Sequence, residues 1–95
     1  MADWQVKFTG HAIRRMFERA IGKPDVMDVL QSGEMIEDYP DDTPFPSELL
    51  LGFVEGRPLH VVAARDETTR TTHIVTVYEP NRLLWSDDFR KRRPL

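Results

Sequence analysis

Ninety-five residues can close one hydrophobic core and not two, so a single domain over residues 1–95 is expected, and the absence of cysteine excludes disulfides, thiolate zinc sites and a cysteine nucleophile together. A formal net charge of -3 argues against a chain given over wholly to nucleic acid. No run approaches the ~18 apolar residues of a membrane span.

The charge is unevenly spread. Glu34, Glu37, Asp38, Asp41 and Asp42 form one stretch, and Arg90, Lys91, Arg92 and Arg93 crowd another, so a local basic patch is compatible with an acidic total. The opening residues Met-Ala-Asp-Trp-Gln-Val-Lys-Phe lack the apolar segment of a secretory leader, which makes the cytoplasm the expected compartment.

Trp4 to Phe8 alternates in polarity, as a short strand or an extended arm over the core would. Thr9 offers an oxygen to cap a helix beginning near Gly10 or His11 and running to Arg19 or Ala20, with Gly22 as its stop. Ala12, Ile13, Met16, Phe17 and Ala20 are its expected core side. Lys23-Pro24-Asp25 restarts a helix with Val26, Val29 and Leu30 inward, ended by Gly33.

Strands are expected at Glu34 to Tyr39, Leu49 to Val54, Leu59 to Arg65 and Thr72 to Tyr78. The links between them are too short for crossover helices, so these strands run antiparallel. The fold class is α+β, two N-terminal helices packed on one face of a four-stranded antiparallel sheet. Leu83, Leu84, Trp85 and Phe89 supply apolar surface to dock the C-terminal segment, while residues from about 90 to 95 are expected to fray.

His11, Arg15 and Arg19 drift by only ~40° per step around a helix and so share a flank. Such a row grips phosphate or carboxylate; it equally suits ion pairs with Glu18, Glu37 or Asp38. His60 lies in an apolar strand, in phase with Val62 and Ala64, where core packing, proton transfer and anion binding all remain open. Tyr78 shares a strand face with Thr76 and is suited to an anion, to a stacked base or to capping the core edge. No metal site is expected from three histidines without ligand spacing, nor a nucleotide cofactor without a glycine-rich loop.

Phe8-Thr-Gly-His-Ala12, Arg15-Met16 with Arg19, Asp25-Val26 leading to Gly33, Pro58-Leu-His-Val-Val62, and Thr76-Val-Tyr78 with Pro80 together resemble the uncharacterised domain-of-unknown-function 4258 family. That family is similar in turn to small RelE-like plasmid toxins, many of which cleave messenger RNA without a metal. The resemblance implies His60 as base or acid, Arg15 and Arg19 as phosphate clamp, His11 as complementary proton donor and Tyr78 as orienting donor. It implies RNA and an antitoxin or other protein as partners. Two other readings stand beside a ribonuclease: a noncatalytic protein-binding module on the same fold, and an enzyme for a small anionic metabolite.

Overall fold

The computed structural model describes residues 4–94, which form an α+β fold with two helices packed against one five-stranded sheet. In chain order the elements are β1 (Gln5–Phe8), α1 (Gly10–Arg19), α2 (Lys23–Ser32), β2 (Glu34–Tyr39), β3 (Ser47–Val54), β4 (Arg57–Asp66) and β5 (Thr71–Tyr78). The strands lie in the order β1-β5-β4-β3-β2. β2 to β5 form the expected antiparallel meander. The four-stranded expectation is corrected by β1, which pairs parallel with β5 from Gln5↔Thr71 to Phe8↔Ile74 and makes the sheet mixed. Two helices and three strands separate those partners in the chain, so a parallel pairing costs no strained link.

One sheet face is sealed by the helices. Ala12 and Met16 from α1 and Val26 and Val29 from α2 pack on Leu50, Leu59, Val61, Ala63, Ile74 and Val77. Gly52 lets α2 approach β3 closely, because a Cβ there would stand 2.7 Å from Val29 Cγ2. This glycine is therefore a packing requirement inside a strand rather than a turn. The β3–β4 reversal instead uses positive φ at Glu55 (51°) and Gly56 (82°).

Two helix details differ from expectation. α1 ends on Ala20, whose left-handed backbone (φ 55°) returns its N–H to Met16 and Phe17 carbonyls, and Gly22 instead serves as N-cap of α2. The reason is Ile21, which must be buried and so forces the chain inward one residue early. The apolar stripe of α1 is also narrower than its sequence suggests. Ile13 is 50% and Phe17 88% exposed, because α1 lies along β5 at the side of the sheet and only Ala12 and Met16 point into it.

The other face is covered in part by the C-terminal segment, as expected from its apolar residues. Trp85 and Phe89 pack on Leu49 and Leu51, with Ile36 and Val62 alongside, whereas Leu83 and Leu84 stay largely exposed. A bridge between Trp85 and Arg92 folds the segment back on itself. Arg90 pairs with Glu34 at 2.8 Å, and Arg93 with Asp87 at 2.9 Å. Among the described residues no helix is long and apolar enough to cross a membrane.

Candidate functional site

The site grows from a bulge in β5. Val62 faces Thr76 and Ala63 faces Ile74, which leaves Val75 as an extra residue and reverses the side-chain alternation beyond it. Ile74 and Val77, three apart, therefore both enter the helix-side core. Thr76 and Tyr78 go to the opposite face with Val62 and His60. The same shift puts His73, paired with Ala64, on that face too, where its ring stacks on Phe45 at 5.4 Å. Strict alternation along β5 would place Ile74 on the face of Thr76 and His73 on the other, and the bulge reverses both.

Thr9 ties the bulge to α1. Its hydroxyl donates to the Val75 carbonyl at 3.0 Å and accepts from Ala12 N–H at 3.0 Å, so one residue caps the helix and fixes where it starts along β5. At this point β1 has ended and the edge of β5 is free of strand partners. The helix flank reaches around that edge: His11 Nε2 lies 3.1 Å from Thr76 Oγ1. At the far end, Arg57 donates to the carbonyls of Arg19 and Ala20 and pairs with Glu79 at 3.2 Å, so helix and strand run in the same direction. Four helix residues advance ~6 Å and two strand residues ~6.6 Å, so Arg15 follows His11 along α1 by about the step that separates Tyr78 from Thr76 along β5.

Arg15 makes one long ion pair with Glu18 at 3.7 Å, and its Nε is buried without a hydrogen-bond partner. Arg19 has an exposed side chain with no ion pair among the described residues, and only its carbonyl is engaged, by Arg57. The row of three is thus present as a flank, with His11 and Arg15 nearest the free edge.

His60 is fully buried, at 0% exposure. Nε2 lies 2.9 Å from the Phe89 carbonyl and Nδ1 3.2 Å from Tyr78 Oη. Trp85 and Tyr78 meet the imidazole edge to face, at 4.4 and 5.2 Å between ring centroids. Burial pushes its pKa below the ordinary value, against a smaller upward effect of the Phe89 carbonyl. Phe89 holds a left-handed backbone (φ 62°), an uncommon conformation for a bulky residue. The arrangement that sustains it buries the ring, at 6% exposure, and aims the carbonyl at His60. His60 thus meets no solvent and touches the site only through Tyr78.

Two further residues act on Tyr78 electrostatically. Burial raises the pKa of Tyr78, with a further rise from Tyr39 and an opposing effect of Arg92, so both groups lie within its electrostatic range. Arg92 also packs its guanidinium over Trp85, 5.7 Å from the ring centroid, and has no ion pair among the described residues. Neither Tyr39 nor Arg92 stands out in the sequence as a partner of Tyr78. The one available signal was the basic run to which Arg92 belongs.

Of the five residues expected to act together, the fold thus brings His11 against Thr76, two residues along β5 from Tyr78, carries Arg15 and Arg19 on the following turns of the same helix flank and encloses His60 beneath Tyr78. Among the described residues no three histidine or acidic side chains converge as metal ligands.

A family model described as a domain of unknown function (DUF4258) matches residues 8–79, so the chain belongs to that family. No curated protein and no solved structure matches.

Proposed function

We propose that this member of the DUF4258 family binds RNA across the rim between α1 and β5 and cleaves it through the 2'-hydroxyl without a metal, in the manner of RelE-like toxin ribonucleases. The observation that carries the reading is an exposed histidine of α1 held 3.1 Å from Thr76 on the free edge of β5, on the strand face it shares with Tyr78, which buried His60 holds from beneath. In such a cleavage a base takes the 2'-hydroxyl proton, the freed oxygen bonds to phosphorus, and the phosphorus–5'-oxygen bond breaks. The leaving oxygen then takes up a proton.

His11 is the group that protonates the leaving oxygen in this reading, since its exposed imidazole stands at the rim. Arg15 is the phosphate clamp. Its pairing with Glu18 is long and both side chains are well exposed, so a phosphate displaces the carboxylate at little cost. Arg19 extends the clamp toward the next phosphate. His60 becomes a positioning residue, because an enclosed imidazole cannot touch a substrate.

The test is cleavage of a mixed RNA substrate in EDTA. His11→Ala should lower kcat by about a hundredfold to ten-thousandfold, and Arg15→Ala should raise KM and steepen the loss of binding with salt. A folded wild-type protein that cuts nothing between about pH 5 and pH 9, and does not arrest growth on expression, overturns the reading.

A second reading, a protein-binding module, is favoured by Phe17 and Ile13, which expose an apolar pair one turn apart on the outer side of α1. A protein partner seated there would lose affinity at least tenfold in Phe17→Ser while the RNA rim stays intact.

A further inference from the structure

We infer that Tyr78 distinguishes ribose from deoxyribose by accepting a hydrogen bond from the 2'-hydroxyl, because its own proton is committed to His60. The inference rests on the RNA reading and assigns the contact that would make the rim selective. Its basis is the direction of each hydrogen bond in a buried chain of three groups.

The Phe89 carbonyl can only accept, so at 2.9 Å the Nε2 of His60 must carry the hydrogen. The imidazole is wholly enclosed and has no carboxylate partner, conditions under which a ring stays neutral with one N–H. Nδ1 is therefore a bare lone pair. Tyr78 Oη lies 3.2 Å from it and has to be the donor. A phenol has a single proton, so what Tyr78 offers beyond His60 is acceptor capacity alone.

This reverses the donor role expected for Tyr78 and selects its ligand. A phosphate oxygen cannot bond to an acceptor, whereas a hydroxyl can donate to it. The cations of the same helix flank have the opposite polarity, since the guanidinium groups of Arg15 and Arg19 only donate. The rim thus offers donor-only cations suited to phosphate and, at Tyr78, an acceptor-only oxygen suited to a sugar hydroxyl. Deoxyribose leaves the Tyr78 oxygen to water.

Two measurements test the inference. Nitrogen-15 NMR of the imidazoles should find His60 as the neutral tautomer protonated at Nε2; a protonated ring or the Nδ1–H tautomer overturns it. Affinities of wild type and Tyr78→Phe are then compared for single-stranded RNA and DNA of one sequence. Wild type should prefer RNA by about threefold to tenfold, the worth of one hydrogen bond, and Tyr78→Phe should bind both alike through a loss confined to RNA. Equal affinities in wild type, or a preference that survives in Tyr78→Phe, overturn the inference while leaving RNA binding in place. Binding of neither oligonucleotide overturns the RNA reading and the inference together.

Discussion

On its helix side the sheet meets Ala12, Met16, Val26 and Val29 with Leu59, Val61, Ile74 and Val77, and every one of these buried groups is apolar. On its other side a short segment brings only Trp85 and Phe89, and a histidine is buried among aromatic rings with each ring nitrogen hydrogen bonded. The first face is sealed by two whole helices, so it needs no direction in its contacts. The second depends on directed bonds, and the part beyond the C-terminal segment stays open around Thr76 and Tyr78. Stability is concentrated on one side of the sheet, and the candidate chemistry lies at the edge of β5 where the flank of α1 reaches Thr76 on the other.

Substitutions sharpen that contrast. Leu59→Ala removes a fully enclosed side chain from the helix face and should cost about 2–5 kcal/mol in urea unfolding, with RNA affinity of the folded protein unchanged. A loss of affinity without a loss of stability would show that the faces are not separable. Gly52→Ala, which drives a methyl group against Val29, should cost about 1–3 kcal/mol by the same measurement.

The other face should respond to pH. Burial holds folded His60 below the ordinary 6.5, so as pH falls the unfolded chain takes up a proton first and binds more protons than the folded one. Its contribution is thus fully present above about 6.5, and is lost as pH falls from there through the folded value. Thermal melts of wild type should record that loss, and His60→Gln should flatten it. The smallest effect is expected at the C-terminal segment's exposed tether. Glu34→Gln, which weakens the pair with Arg90, should change stability by less than about 1 kcal/mol, and high salt should erase the difference.

Alternation and turn chemistry were enough to read the helices, the meander and the return of Trp85 and Phe89. The parallel pairing of β1 was not legible, because Trp4 to Phe8 alternates identically whether it lies beside β5 or merely over the core. The parity of β5 was hidden for a different reason. A one-residue bulge leaves no mark in Ile74-Val75-Thr76, yet it decides which side chains share a face with Tyr78. His60 sits in a strand apolar on both sides, so its sequence could not distinguish the helix face from the face under Trp85. The electrostatic effects of Tyr39 and Arg92 on Tyr78 arise only through tertiary folding.

Titration of the isotopically labelled protein with single-stranded RNA, followed by NMR shifts, tests most directly whether the rim is the interface. Shifts should move at His11, Arg15, Tyr39, Thr76, Tyr78 and Arg92 and stay still at Arg14 and Phe17 on the outer side of α1. Movement centred on Phe17 and Arg14, or no movement at saturating RNA, would contradict the account.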